Sequence, residues 1–298
     1  MVQGNDSLFV IPDDGLGPFL QVVTSAQHTL DVYVFELTNS EIEQAFGAAQ
    51  RRGVVVRAII EPKPSNNATA GQGNYDRLKQ AGIAVKFSSS QFVKTHVKAL
   101  VADGTVAIIA TMNFTATWQT TRDYGIITYH SATVTQFAAI FEADWKEQPV
   151  TAAPNPASHL VVSPTFGRPA ITDLLDKATA SISIQHEQLT DPTIIDLLRH
   201  RAQAAIEVKV IGPDTPQGQT ARDALQAKGA PVQVLLQSQP KLHAKIIIVD
   251  QQLMLLGSHN LTAESLDQRR EVSLLTDDKA WIDRVLAAFA ADVGFASN

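Results

Sequence analysis

The 298-residue sequence contains no cysteine, which excludes disulfide bonds, thiolate metal sites and a cysteine nucleophile. It also lacks an apolar run long enough to span a bilayer, and its first ten residues, MVQGNDSLFV, are not a basic segment followed by an apolar one. We therefore expect a soluble chain without a leader. Its compartment stays open: secreted or periplasmic if a leader has been removed, and otherwise cytoplasmic.

Positive charge is scarce in this sequence. Lysine and arginine together number 24 against 30 acidic residues, so the formal net charge is −6. A protein that binds a polyanion through a global positive field is therefore disfavoured, whereas a local basic site is not excluded. Hydrophobic residues make up 45% of the chain and charged residues 18%, which is typical of a globular protein with a sizeable core and excludes a disordered chain.

The two halves of the sequence follow the same pattern. Residues 148–158, QPVTAAPNPAS, contain three prolines among small residues and predict a linker. On each side of it, apolar periodicity predicts helix, strand, helix and strand, followed by two short strands, one further strand and a last helix. Strands that alternate with helices favour βαβ units. The sequence thus predicts two homologous α/β domains, residues 1–150 and 151–298, each a mixed sheet covered by helices.

One polar pattern occurs once in each half: His-x-Lys-x4-Asp, followed by an asparagine seventeen residues after the histidine. Because alternate residues of a strand face the same way, each histidine projects together with its lysine. If the halves pack about a pseudo-twofold axis, one site contains two imidazoles, two ammonium groups and two amides. The two copies are His96, Lys98, Asp103 and Asn113, and His243, Lys245, Asp250 and Asn260.

Such a set of side chains suits the cleavage of a phosphodiester. The ammonium and amide groups compensate the charge on the non-bridging oxygens, which grows in the transition state. One neutral imidazole can attack phosphorus while the other, protonated, gives its proton to the leaving oxygen. No zinc-helix spacing of histidines is present, and each histidine is accompanied by a lysine that repels cations, so we expect no metal and no other cofactor.

The paired pattern resembles that of the phospholipase D superfamily, and the resemblance covers nearly the whole chain. It implies two α/β/α sandwich domains related by a pseudo-twofold axis, with the active site at their interface. It also implies that His96 is the nucleophile that forms a phosphohistidine and that His243 is the general acid. Asp123 and Glu271, which follow these histidines by 27 and 28 residues, match the family position that hydrogen-bonds the imidazole.

The resemblance also assigns the phosphate-binding groups. Lys98, Lys245, Asn113 and Asn260 match the family's phosphate-binding positions. The second half has Gly257-Ser258-His259-Asn260, close to the family's GSxN, whereas the first has Ala110-Thr111-Met112-Asn113. Since threonine keeps the hydroxyl, we expect Thr111, like Ser258, to serve the phosphate site, with altered fit rather than lost activity.

The remaining polar candidates each have two interpretations. Asp103 and Asp250 begin turns, which favours a structural role over contact with substrate. Glu36 and Glu187 follow strands at the edge that faces the ligand crevice of α/β sheets, but they also suit the positive end of a helix. We predict His186 and His259 as further residues of the pocket wall. The long segment 61–74 favours a solvated loop, with a loop over the site as the alternative.

We expect an enzyme that cleaves or exchanges the head-group phosphodiester of a phospholipid, which would be bound at a membrane surface. The alternative is a metal-independent endonuclease with the same site, and a binding protein without turnover is the weakest hypothesis. A monomer is expected, because a duplicated chain can form the twofold site alone. For a lipid surface the sequence offers Phe92, Phe114 and Trp118, and for a nucleic-acid track Lys94, Arg122, Arg269 and Arg270.

Overall fold

A computed structural model describes residues 5–293 of the chain. The described part of the first half, from residue 5 on, contains seven strands and four α-helices. In chain order these are β1 (Ser7–Ile11), α1 (Gly17–Ser25), β2 (Thr29–Val34), α2 (Ser40–Arg51), β3 (Val55–Ile60), α3 (Ala68–Gln80), β4 (Ala84–Phe87), β5 (Ala99–Ala102), β6 (Val106–Ala110), β7 (Thr121–Thr128) and α4 (Ser131–Trp145).

The second half repeats this order, with one short extra strand and one short extra helix. Its elements are β8 (Leu160–Ser163), α5 (Gly167–Asp176), β9 (Ser181–His186), α6 (Pro192–Gln203), β10 (Glu207–Pro213), α7 (Pro216–Gln226), β11 (Gln233–Gln237), β12 (Lys241–Leu242), β13 (Lys245–Val249), β14 (Leu253–Gly257), α8 (Ala263–Asp267), β15 (Glu271–Thr276) and α9 (Lys279–Val293).

The two sheets have the same topology. The first runs β1-β7-β6-β5-β2-β3-β4 and the second runs β8-β15-β14-β13-β9-β10-β11. In each, three neighbouring strands are parallel and the others are antiparallel. The predicted fold class, two homologous α/β domains with mixed sheets, is therefore confirmed. The boundary at residues 150 and 151 stays a prediction.

Apolar side chains form three buried layers. One lies between the first sheet and helices α1, α2 and α3, and one between the second sheet and helices α5 to α8. The third combines residues of both sheets with those of α4 and α9, among them Tyr124, Phe137, Ile246 and Phe289. Burial of apolar surface in this central layer therefore joins the two halves.

Two buried ion pairs cross between the halves in equivalent ways. Arg122, at the start of β7, binds Asp292 of α9 through two hydrogen bonds of 2.8 and 2.7 Å. Arg270, just before β15, binds Asp144 of α4 through two of 2.9 Å. Bidentate pairs of this kind fix orientation as well as adding energy, so they set how the two halves align.

The prediction of a loop over residues 61–74 is partly wrong, because α3 begins at Ala68. The Asn67 side chain accepts the backbone N–H of Ala70 and so starts the helix in a glycine-rich segment. Gly71 is required there, since a Cβ at this position would lie 2.1 Å from the Pro62 carbonyl oxygen. Before the helix, Ser65 reaches the cavity described below, so part of the segment does border the site.

Within residues 5–293 no helix combines the length and the apolarity that crossing a membrane requires.

Candidate active site

The backbone before each motif histidine pairs with the other half of the chain. The backbone N–H of His96 donates to the Arg270 carbonyl at 2.9 Å, and Thr95 forms a parallel bridge with the same residue. Equivalently, β12 pairs with the start of β7, and the backbone N–H of His243 donates to the Arg122 carbonyl at 3.2 Å. Each histidine is thus held next to the strand that carries the other half's acidic residue.

The imidazole–carboxylate pairs consequently cross between the halves. Nδ1 of His96 lies 3.1 Å from both carboxylate oxygens of Glu271, and Nδ1 of His243 lies 2.7 Å from Oδ1 of Asp123. Both carboxyl groups are buried. Asp123 also accepts the Thr111 hydroxyl at 2.6 Å, and Glu271 accepts the Ser265 hydroxyl at 2.7 Å. These contacts fix the ring orientation and leave Nε2 of each imidazole for chemistry.

The two lysines are buried beside the histidines, but their partners differ. Each ammonium group donates to the carbonyl oxygen of its own histidine, from Lys98 to His96 and from Lys245 to His243. Lys98 additionally lies over the Phe35 ring, with Nζ 4.5 Å from the centroid. Lys245 instead donates to Oε2 of Glu187 at 2.9 Å.

The two asparagines complete the set. Nδ2 of Asn113 lies 3.4 Å from Nε2 of His243, and both Asn113 and Asn260 border the same cavity. The Oδ1 atoms of both amides are buried without a hydrogen-bond partner within the described chain. Buried polar atoms without partners are uncommon in folded proteins, so the amides retain capacity to bind a ligand.

A cavity of about 340 Å³ is bordered by both histidines, both asparagines and Asp123, whereas Lys98, Lys245 and Glu271 are buried and do not border it. Polar side chains from both halves line most of it. Its lining residues are Phe35, Glu36, Thr38, Ser65, Lys94, His96, Asn113, Thr115, Thr117, Thr121, Asp123, Glu187, Gln188, Lys241, His243, Asn260 and Arg269. Lys241 was not predicted from the sequence, although it occupies the place of Lys94, two residues before its histidine, where strand alternation could have indicated it.

The electrostatic surroundings of the site favour a neutral His96. Burial lowers the pKa of His96 well below its usual value, and the nearby Lys98 and Lys245 lower it further. Burial also lowers the pKa of Lys98. Burial raises the pKa of Glu271, which makes this carboxyl a weaker attractor of positive charge. A neutral imidazole with a free Nε2 is the form that acts as a nucleophile.

His243 lies between carboxylates. Burial alone would raise the pKa of Asp123, but the charge and hydrogen bond of His243 outweigh it, so the pKa is lowered and the group stays ionised. Glu187 lies 3.7 Å from Nε2 of the same ring. Burial likewise opposes ionisation of Glu187, yet Lys245 and His243 hold its pKa well below the usual range. Carboxylates thus lie near both ring nitrogens of His243, whereas the carboxyl group paired with His96 is at Nδ1 alone.

Thr111, Ser258, His259 and His186 are among the predicted site residues that do not line the cavity. The Thr111 hydroxyl is used by Asp123 and the backbone of Tyr124, and the Ser258 hydroxyl by the backbone of Val272, so both support the acidic strands. His259 is buried between the hydroxyls of Ser273 and Ser163, and burial lowers its pKa to about 4. His186 is also buried and lies behind Glu187. The pocket-wall prediction for the two histidines was therefore wrong.

The motif aspartates lie at the far ends of β5 and β13, away from the cavity. Asp103 accepts the backbone N–H groups of residues 27–29, and Asp250 accepts those of residues 179–181, all at 2.7–2.9 Å. Both residues have a φ of 53°. They hold the turn that follows the motif strand against the start of its neighbour, as the structural interpretation of these residues requires.

The surface candidates need two corrections. Phe92 packs against Arg270, and Phe114 packs in the apolar layer between the first sheet and helices α1 to α3. Both rings are therefore buried and cannot contact a lipid surface. Arg122 and Arg270 are buried in the ion pairs between the halves and cannot form a nucleic-acid track. Lys94 and Arg269 do border the cavity.

Comparison with known sequences is consistent with this geometry. A family model described as cardiolipin synthase, PLD-like domain, matches residues 19–145 and 171–293. The mitochondrial cardiolipin hydrolase of Danio rerio is 30% identical over 128 residues, which cover 43% of this chain and 55% of the relative. Cardiolipin synthase A of Erwinia tasmaniensis is 24% identical over 325 aligned positions, which cover 93% of this chain and 67% of the relative. The chain thus spans about half to two thirds of the length of these relatives.

Solved structures share the fold. The phosphatidylserine synthase of Haemophilus influenzae Rd KW20 superimposes with a TM-score of 0.76 at 12% identity, covering 98% of this chain and 87% of that one. The polyphosphate kinase from Porphyromonas gingivalis superimposes with a TM-score of 0.74 at 19% identity, covering 95% of this chain and 46% of that one. Because the family model matches most of the chain in two consecutive copies, the protein belongs to the phospholipase D superfamily, as a chain with two PLD-like domains.

Proposed function

We propose that this protein is a phosphodiesterase of the phospholipase D type that acts on the head-group phosphodiester of a phospholipid. One observation carries the proposal: two imidazoles border one cavity, and each is oriented by a buried carboxyl group of the opposite half. The relatives named for cardiolipin and for phosphatidylserine support a phospholipid over other diesters.

The proposed reaction has two displacements. In the first, Nε2 of His96 attacks phosphorus, a P–N bond forms and the P–O bond to the leaving group breaks. His243 gives its Nε2 proton to the leaving oxygen. In the second, neutral His243 takes a proton from water or an alcohol, whose oxygen attacks phosphorus as the P–N bond breaks. Hydrolysis and phosphatidyl transfer differ only in that second nucleophile.

The roles of the other residues follow from their positions. Lys98, Lys245, Asn113 and Asn260 would bind the non-bridging oxygens, whose negative charge increases in the transition state. Asp123 would hold the His243 tautomer and stabilise its imidazolium form. None of these steps uses a metal ion, so we expect full activity in the presence of EDTA.

A second candidate function, cleavage of single-stranded nucleic acid, rests on three cationic residues at the cavity: Lys94, Lys241 and Arg269. Their charge is partly neutralised, because Arg269 is paired with Glu264. The overall negative charge of the chain also disfavours a polyanion. We therefore place the phospholipid first.

A substrate panel tests the proposal. Vesicles that contain labelled phosphatidylcholine, phosphatidylglycerol or cardiolipin, and in parallel a labelled single-stranded DNA, are incubated with the protein in EDTA. We expect release or exchange of a lipid head group, and no turnover by His96→Asn. Cleavage of DNA alone would support the second candidate, and turnover that persists in His96→Asn would contradict the mechanism.

A further inference from the structure

The residue that follows the second strand of each half, β2 or β9, differs in a way that changes the charge of the site. Strand pairing aligns Tyr33 with Gln185, because these residues pair with Ala99 and Ile246, each of which follows its motif lysine. Phe35 of the first half thus corresponds to Glu187 of the second. Phe35 covers Lys98 with an uncharged ring, whereas Glu187 places a carboxylate on Lys245.

Glu187 lies close to where a phosphate would bind. Its Oε2 is 2.9 Å from Nζ of Lys245 and 3.7 Å from Nε2 of His243. A phosphate oxygen bound by Lys245 would be one hydrogen bond, about 2.8 Å, from that ammonium group. It would therefore lie within roughly 6 Å of the carboxylate, a distance at which repulsion between charges in a partly buried site is substantial.

We propose that Glu187 is a specificity-determining residue that lets the site bind a phosphodiester but weakens binding of a phosphomonoester. This inference rests on the proposed function. A diester carries one negative charge, whereas a monoester carries nearly two above its second pKa of about 6. Because Coulomb repulsion is proportional to the ligand's charge, Glu187 opposes a dianion about twice as strongly as a monoanion.

The Glu187 carboxylate would also affect product release. Hydrolysis of a phospholipid head group leaves a phosphomonoester in the same site, among the same lysines and asparagines. A site with two lysines and a protonated imidazole would retain that dianion. By neutralising Lys245, Glu187 reduces the attraction for the product more than the attraction for the substrate, and so favours turnover over product inhibition.

The test uses phenyl phosphate as a monoester whose charge is set by pH. Its dissociation constant is measured by calorimetry at pH 5 and pH 8 for the wild-type chain and for Glu187→Gln. The quantity of interest is the ratio of the wild-type constant to the variant's at each pH, since titration of groups common to both proteins largely cancels. The charged and titratable groups around Glu187 are Lys245, His243, His96, Lys98, His186 and Arg222.

We expect Glu187→Gln to bind phenyl phosphate about tenfold more tightly at pH 8 and about threefold more tightly at pH 5, since halving the charge halves the repulsion. Glu187 remains ionised at both pH values, because its pKa is held well below the usual range. Glu187→Asp keeps the charge and is expected to keep the weak binding at pH 8. Glu36→Gln removes another carboxylate of the cavity, one that contacts neither lysine among the described residues, and is expected to change the ratio less.

Two results would overturn this inference: equal ratios at pH 5 and pH 8, or an equal effect of Glu36→Gln and Glu187→Gln. Thermal unfolding of each variant verifies that the chain is folded before its binding is compared. The binding measurement requires no turnover. If the ratios are as expected but no lipid is cleaved, only the proposed function fails. If lipid is cleaved and the ratios are equal, only the role of Glu187 fails.

Discussion

The two halves of this protein have the same topology and the same motif, yet they surround their histidines differently. His96 contacts the Phe35 ring, with centroids 4.5 Å apart, and lies beside a lysine without a carboxylate partner within residues 5–293. His243 lies between Asp123 and Glu187, and its lysine is paired. Duplication of a domain initially produces two halves with identical surroundings for their histidines. Here the residues around them differ: burial and two lysines lower the pKa of His96, whereas carboxylates lie near both ring nitrogens of His243.

The largest expected effect separates the roles of the two histidines. His96→Asn and His243→Asn should each lower turnover of a phospholipid by about 10⁴-fold or more. With a p-nitrophenyl phosphodiester, whose leaving group needs no proton, His243→Asn should recover the first step and release a burst of nitrophenol, whereas His96→Asn should not. Stopped-flow absorbance measures the burst. A burst from His96→Asn but not from His243→Asn would reverse the assignment.

The two acidic partners should also differ. Asp123→Asn removes the charge that stabilises protonated His243, and we expect it to lower kcat by roughly 10²–10³-fold. Glu271→Gln should cost only about tenfold, because burial already raises the pKa of Glu271 and His96 acts in its neutral form. Steady-state kinetics on lipid vesicles measures both variants. Equal losses would remove the distinction between the two pairs.

The pH profile sharpens the comparison further. His96 must be unprotonated to attack, so activity is lost as pH falls through its pKa. Because burial, Lys98 and Lys245 lower that pKa, the acidic limb of kcat/KM should lie well below pH 6.5. Removing a positive neighbour raises the pKa of His96, so Lys98→Met should move the acidic limb to higher pH. Lys245→Met should move it less, and a larger shift for Lys245→Met would contradict the account.

The smallest effect concerns the turns, where the halves should behave alike. Asp103→Ala and Asp250→Ala should each lower the free energy of unfolding by about 1–2 kcal/mol, since each carboxylate caps three backbone N–H groups. Activity per folded molecule should be unchanged. The pKa of Asp250 is lowered to about 2, so its contribution is complete above about pH 4 and is lost as pH falls through 2. Urea denaturation at pH 7 and pH 2.5 measures both variants.

The repeated order of elements and the paired motif were predictable from the sequence, because apolar periodicity and strand alternation are local properties. Two features were not. The crossing of His96 to Glu271 and of His243 to Asp123 depends on backbone pairing between residues far apart in the chain. The helix that begins at Ala68 depends on the close passage of Gly71 over Pro62, which no local pattern indicates.

The same reasoning explains the misplaced candidates. His259 and His186 are close to motif residues in sequence, but His259 lies two residues past the end of β14 and is buried between two serine hydroxyls. Arg122 and Arg270 each precede a carboxylate of the candidate site by one residue and so face away from it, toward the helix of the other half. In each case a shift of one residue along a strand separates a side chain of the site from a buried structural one.

Trapping of the covalent intermediate tests most directly whether the first half supplies the nucleophile and the second half the acid. His243→Asn is mixed with a p-nitrophenyl phosphodiester, quenched at alkaline pH to preserve a phosphoramidate, and digested for mass spectrometry. We expect a phosphoryl adduct on the peptide that contains His96 and none in the His96→Asn protein. An adduct on a peptide of the second half, or burst kinetics without any adduct on His96, would contradict it.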